Sequence, residues 1–211
     1  MFQFDLTRTK IFDLGGIIIN IDPEKTFAAL EKLIPETISR ELIQQKLDET
    51  WLAYELGKIS TAQFRLRIEQ KLGIALNEKA FSSIWNALLL DIPEHRIDTL
   101  MKWASREEIY LLSNTNAAHI EAINCYLENE FGIEGLDEIF TQCFLSYELG
   151  MRKPNAEIYH AAINSIKEPP ENCIFFDDTK LNAEAASQMG IQGIWVPSKS
   201  NDAFWDYLDS Q

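Results

Sequence analysis

Four short stretches, each closing an apolar run, carry residues that could do chemistry together: Phe12-Asp13-Leu14-Gly15-Gly16, Leu112-Ser113-Asn114-Thr115-Asn116, Gly150-Met151-Arg152-Lys153-Pro154 and Phe175-Phe176-Asp177-Asp178. In chain order they offer a carboxylate nucleophile, a hydroxyl donor for an anion, a compact cation and a carboxylate pair. Such a set can hold a phosphoryl group beside a divalent metal, provided the fold brings the four together. Gly15-Gly16 lets the backbone turn tightly after Asp13 and approach a ligand closely, so that the carboxylate can attack phosphorus. Ser113 stands between an apolar run and a helical pattern, where hydroxyl and backbone donors can face an anion. Pro154 holds Lys153 extended at a helix entry, where its charge suits a phosphate or the attacked carboxylate.

Each stretch also has an ordinary structural reading. Asp13 could cap a turn, Asp177-Asp178 a helix N-terminus, Ser113 an ST-turn, and Lys153 could be a solvated lysine. The combination weighs against these. Two ionised carboxylates ~4 Å apart repel by ~4 kcal/mol at an effective dielectric of about 20, so three together need a cation or a raised pKa. Mg²⁺ answers that need, because it takes a few carboxylate oxygens and keeps its other positions for water and phosphate. Arg152 has no assignable role. His95, His119 and His160 form no metal or nucleophile pairing and read as structural. Trp51, Tyr54 and Phe64 lie at helical spacing and read as core.

The 211 residues, 46% of them hydrophobic, can bury one full core with an insert. Nineteen Lys plus Arg against 33 Asp plus Glu give a net charge of −14, which argues against nucleic acid and anionic membrane surfaces as partners. Cys125, Cys143 and Cys173 show no CxxC spacing, so neither disulfides nor a zinc site is expected. Met1 to Lys10 lacks the apolar run of a signal peptide, and no segment approaches the ~20 apolar residues of a membrane span. A cytoplasmic protein, monomeric or weakly dimeric, is the expectation.

The elements that must position the four stretches follow from periodicity. A short strand ends at Asp13. Asp22-Pro23 opens a helix carrying Phe27, Leu30, Leu33 and Ile34, which Pro35 closes. Helices then follow at about Glu36 to Leu47, Glu49 to Leu56, Thr61 to Leu72, with Ser60 and Gln63 as a capping box and Gly73 as stop, and Glu78 to Leu90. These describe a helical bundle. From Asp91 on the pattern alternates: a helix from Pro93 to Ala104, strand Ile109 to Leu112, helix Ala117 to Leu127, strand Gln142 to Leu145, helix Asn155 to Ile166, strand Cys173 to Phe176, helix Leu181 to Met189, strand Ile194 to Val196. Alternation of this kind predicts an α/β fold with a doubly wound parallel sheet, whose ligands bind beyond the carboxyl ends of the strands. Residues 1–20 and 91–211 are expected to form this Rossmann-like core and residues 21–90 the inserted helical domain.

With its motifs in this order the chain resembles the haloacid dehalogenase-like (HAD) hydrolase superfamily, and most closely its branch of small sugar-phosphate phosphatases, similar to bacterial alpha-D-glucose-1-phosphate phosphatase. Glu55-Leu56-Gly57-Lys58-Ile59-Ser60 and Phe64 resemble that branch too. The resemblance implies that the insert is a helical cap, and that Asp13 becomes an aspartyl-phosphate while also ligating Mg²⁺. It implies Asp178 and the Gly15 carbonyl as further metal ligands, with Asp177 ligating directly or through water. Ser113 and the Asn114 backbone would hold phosphoryl oxygens, with Lys153 stabilising their charge.

One departure stands out. Most phosphatases of the superfamily place a general acid two residues after the nucleophile, and here that position is Gly15, which can donate no proton. The expected activity is Mg²⁺-dependent hydrolysis of a small phosphorylated metabolite, such as a sugar phosphate with a good leaving group. The alternatives are a 2-haloacid dehalogenase, for which Asp177-Asp178 would be a liability, and a catalytically weak phosphate-binding protein.

Overall fold

The computed structural model describes residues 4–34 and 38–211. Strand β1 (Thr9–Phe12) leads into helices α1 (Pro23–Glu31), α2 (Arg40–Glu55), α3 (Thr61–Leu72) and α4 (Glu78–Trp85) and a 3₁₀ turn at Asn86–Leu88. Then come α5 (Glu94–Ala104), β2 (Ile109–Ser113), α6 (Ala117–Phe131), α7 (Leu136–Ile139), β3 (Gln142–Leu145) and α8 (Ser146–Leu149). The chain continues through α9 (Ala156–Ile166), β4 (Cys173–Asp177), α10 (Lys180–Gln188), β5 (Gln192–Trp195) and α11 (Asn201–Asp209).

The five strands form one parallel sheet in the order β3-β2-β1-β4-β5. Ile11, Leu112, Phe144 and Phe175 pack on one face against Ile158, Tyr159 and Ala186 of α9 and α10. Phe12, Leu111, Ile174 and Phe176 pack on the other, against Leu100, Ile123, Phe204 and Trp205. Because both faces are covered, strand sequences read as continuous apolar runs. The chain leaves β1 toward β2 on one side and reaches β4 on the other, so a crevice opens at the carboxyl end of β1. Asp13 and Asp177 stand there.

α1 to α4 bury their own cluster, including Phe27, Ile43, Tyr54, Phe64 and Trp85. The capping details match expectation: Asp22 caps α1, Ser60 and Gln63 form a reciprocal capping box, and Gly73 ends α3 at φ 69°. Two expected helices are one. Ile43, Leu47, Thr50 and Tyr54 follow at helical spacing and are all buried, so α2 runs unbroken from its cap at Ser39. The expected stop at Pro35 and start at Glu36 lie outside the described residues. Leu33 is exposed rather than on the buried face, and α4 stops at Trp85 instead of Leu90.

Near the carboxyl terminus β5 begins two residues earlier than Ile194, and α11 was not foreseen. That helix buries Phe204, Trp205 and Leu208 completely beneath the sheet. Among the described residues, no helix is long and apolar enough to cross a membrane.

Candidate active site

The buried centre of the site is an ammonium group. Lys153 Nζ lies 2.8 Å from Asp13 Oδ1, 2.7 Å from Asp177 Oδ2 and 2.8 Å from the Leu112 carbonyl oxygen. Three acceptors therefore match its three protons. A clamp fixes the backbone behind it: the Asn114 amide donates to the Lys153 carbonyl at 2.9 Å and accepts from the Lys153 N–H at 2.9 Å. Asn114, expected to contribute its backbone to a phosphoryl group, is seen here using its side chain to seat Lys153.

Asp177 is fully buried at the end of β4. Its Oδ1 accepts from the Thr179 N–H at 2.7 Å, and the Asn182 amide donates to both carboxylate oxygens at 3.1 Å. The Asn182 carbonyl in turn accepts from the Tyr159 hydroxyl at 2.9 Å. Asp177 therefore anchors Lys153 and the turn into α10. Asp178 is half-buried and reaches toward β1. Gly16, at φ 75°, is what makes room: a Cβ there would stand 2.2 Å from Asp178 Oδ2.

The set fits a divalent cation. One oxygen from each of Asp13, Asp177 and Asp178 lies within 4.8 Å of the others. Against these carboxylates stands the Lys153 ammonium, paired with Asp13 and Asp177. Burial raises the pKa of Asp13 and Asp178, and neighbouring carboxylates push the same way. A bound cation would relieve that repulsion. Asp177, with both oxygens already engaged, is better suited to a ligand's water than to the ligand sphere itself.

Ser113 is buried at the end of β2. A cavity of about 70 Å³ is lined by Gly15 and Ser113 together with Asn114, Thr115 and His119. At Gly15, the position without an acid, a Cβ would meet Ile21 Cδ1 at 3.1 Å. Apolar bulk from the start of the insert covers that side of the site.

The insert is fastened to the sheet domain on two sides. On one, the Ala118 N–H donates to the Tyr54 hydroxyl at 3.0 Å and Trp85 Nε1 donates to Asn116 Oδ1 at 3.3 Å. His119 stacks on Trp85, its Nδ1 3.0 Å from Asn116 Nδ2 and its Nε2 3.3 Å from the Trp85 carbonyl. Its neighbours fix a neutral imidazole protonated at Nε2, and burial lowers its pKa to about 4. On the other side Glu55 takes a bond from Trp51 Nε1 at 2.8 Å and pairs with Arg152 at 3.4 Å. Arg152, to which the sequence assigned no part, thus links insert to core beside Lys153. Asn182 and Ile21 carried no motif that marked them for these positions, and Glu55 stood in a motif without a role assigned to it.

The geometry has parallels among known proteins. A family model described as haloacid dehalogenase-like hydrolase matches residues 7–190, and the chain belongs to that family. It is 28% identical over 191 residues to a D-ribitol-5-phosphate phosphatase from Bacteroides thetaiotaomicron, covering 89% of this chain and 90% of that protein. It is 24% identical over 209 residues to an (S)-2-haloacid dehalogenase from Pseudomonas putida, covering 95% and 88%. Among solved structures it resembles a HAD family enzyme from Bacteroides thetaiotaomicron in complex with magnesium and inorganic phosphate. The TM-score is 0.79 and the identity 31%, over 90% of this chain and 94% of that one.

Proposed function

We propose that this protein is a Mg²⁺-dependent phosphatase that hydrolyses a small phosphorylated metabolite of the sugar- or polyol-phosphate class through an aspartyl-phosphate on Asp13. One observation carries the reading: Asp13 sits 2.8 Å from a buried lysine and within 4.8 Å of two further carboxylates, at the carboxyl end of the central strand. A dehalogenase has no use for so many carboxylates around its nucleophile. The similarity to a D-ribitol-5-phosphate phosphatase supports the substrate class.

In this reading an Asp13 oxygen bonds to phosphorus as the ester P–O bond breaks, and the departing oxygen takes its proton from solvent, since Gly15 offers none. Water then attacks phosphorus, the aspartyl bond breaks, its proton passes to solvent, and phosphate leaves with Asp13 restored. Ser113 and the Asn114 backbone N–H bind phosphoryl oxygens. Lys153 fixes the attacking carboxylate and supplies positive potential, so that charge stabilisation is built in before reaction. Asp13, Asp178 and the Gly15 carbonyl would hold Mg²⁺, with Asp177 acting through water, and the ion would neutralise phosphoryl charge as a Lewis acid. Residues 21–90 act as a cap that restricts the site to small substrates. A groove of about 530 Å³ between Leu52 of α2, Leu56 just past it, and the segment from Gly150 to Glu157 runs past Lys153 and offers an approach.

A panel of sugar, polyol and nucleotide phosphates, assayed with Mg²⁺, with EDTA and with Asp13→Asn, tests the reading. Phosphate release from sugar or polyol phosphates, lost in both controls, is expected. Activity that survives EDTA and the substitution, or binding of phosphate without turnover of any ester, would overturn it.

A further inference from the structure

Two residues beyond the family-matched stretch 7–190 hold the loops on either side of Asp178. Trp195, the last residue of β5, donates its indole N–H to the Asp178 carbonyl at 2.9 Å, although its ring is about half exposed. Asn201, the first residue of α11, is buried and donates through Nδ2 to the carbonyls of Gly16 at 2.5 Å and Ile17 at 3.2 Å. Trp205 adds a bond to Ile17 at 3.0 Å, and Arg96 Nη1 bonds the Ile17 and Ile18 carbonyls at 3.2 and 3.0 Å.

The Asp178 side chain lies so close against the Gly16 backbone that no Cβ fits between them. The width of that gap sets where the Asp178 carboxylate stands relative to Asp13. One side of the gap is tied by Trp195 and the other by Asn201. The hydrophobic core does not need either bond: Trp195 is half exposed, and burial of α11 rests on Phe204, Trp205 and Leu208.

We propose that Trp195 and Asn201 are positioning residues for the metal, holding the Asp178 and Gly16 loops at the separation that lets Asp178 and Asp13 share one cation. The inference rests on the magnesium reading given above. Neither residue touches substrate; each acts through the carbonyl it holds. A ligand set fixed to within a fraction of an ångström binds more tightly than one that must be ordered on binding.

The test is thermal unfolding of Trp195→Phe and Asn201→Ala across a Mg²⁺ titration, beside the native protein and without substrate. Trp195→Phe keeps an aromatic side chain on this half-exposed position and removes the indole N–H. The magnesium concentration giving half-maximal stabilisation should rise about fivefold in Trp195→Phe, the order expected for losing one neutral hydrogen bond. The melting temperature without metal should stay within about 2 °C of native. Asn201→Ala, being buried, can lower the metal-free melting temperature, so its readout is again the magnesium midpoint, which should also rise. At saturating Mg²⁺ the KM for a phosphate ester should remain within twofold in both. Unchanged midpoints in the two variants, with a native protein that responds to Mg²⁺, would overturn the inference alone. A native protein that Mg²⁺ does not stabilise would remove the metal reading and this inference together.

Discussion

Lys153 Nζ stands between Asp13 and Asp177, 2.8 Å from one carboxylate and 2.7 Å from the other, with almost no access to water. An isolated ammonium or carboxylate in such a place would neutralise itself, so each of the three depends on the others for its charge.

Removing the cation therefore costs more than losing a contact. Lys153→Met leaves two buried carboxylates facing each other, and breaking a buried pair this way typically costs 3–5 kcal/mol. For a chain of this length that corresponds to a fall in melting temperature on the order of 10 °C. Added Mg²⁺ should restore part of it, because a cation again enters the same cluster, while turnover stays lost. A metal-free melting temperature within 2 °C of native would show that the lysine is not holding the cluster.

Asp13 gives a second, opposite effect on stability. Burial raises its pKa from an ordinary carboxylate value to about 7 in the metal-free protein. A carboxyl whose folded pKa is raised contributes fully below its unfolded pKa, near 4, and loses that contribution as pH rises through about 7. Asp13→Asn cannot ionise, so it should be more stable than native at pH 8 without metal, by on the order of 2 kcal/mol, and the advantage should shrink toward pH 4. Saturating Mg²⁺ should reverse the order. Melting curves at pH 5 and 8, with Mg²⁺ and with EDTA, check both signs; a metal-free advantage independent of pH would contradict the account.

Much of this was legible before any coordinates, and the boundary has a physical cause. The parallel sheet follows from strands short and apolar enough to be buried on both faces, and the capping of α1 and α3 from local side-chain chemistry at Asp22, Ser60 and Gly73. Asp13, Ser113 and Asp177-Asp178 were legible because each closes such a strand or opens the turn behind it, and Lys153 because Pro154 sets it at the entry to a helix, past α8. α11 was not, since its nine residues offer only Phe204, Trp205 and Leu208 as pattern and no side chain caps its start. The partners that fix the site were invisible for a related reason. Asn114 on Lys153 and Trp195 on Asp178 are defined by where separate loops meet, and no spacing along one loop records that meeting.

The missing acid at Gly15 cannot be put back by substitution alone. A Cβ at that position would press on Ile21 Cδ1 at 3.1 Å, and a carboxylate beyond it would face the same apolar side chain. Gly15→Asp should lower the melting temperature by a few degrees and leave kcat no higher than native. Trimming the obstruction in Gly15→Asp/Ile21→Ala should give a faster enzyme than the single variant, since a positioned acid typically contributes 10²- to 10⁴-fold when its geometry is right. If the single variant already exceeds native turnover, Ile21 is no barrier.

Gly57 tests how firmly the insert is seated. It lies just past α2 at φ 63°, and a Cβ there would fall 1.9 Å from the Tyr147 carbonyl oxygen, a backbone atom with little freedom to retreat. Gly73 provides the comparison, because it has a similar φ of 69° but nothing within 4 Å of where its Cβ would stand. Alanine at either site pays the left-handed backbone penalty of roughly 1 kcal/mol. Only Gly57→Ala must also push the insert off helix α8, which leads into Arg152 and Lys153, where Glu55 makes its ion pair. Gly73→Ala should lose about 2–4 °C of melting temperature with unchanged kinetics. Gly57→Ala should lose at least twice that and raise KM severalfold, the outcome expected of the proposed cap when its seat is displaced. Equal melting temperatures and equal KM values for the two variants would mean that the close approach at Tyr147 carries no part of the site's geometry.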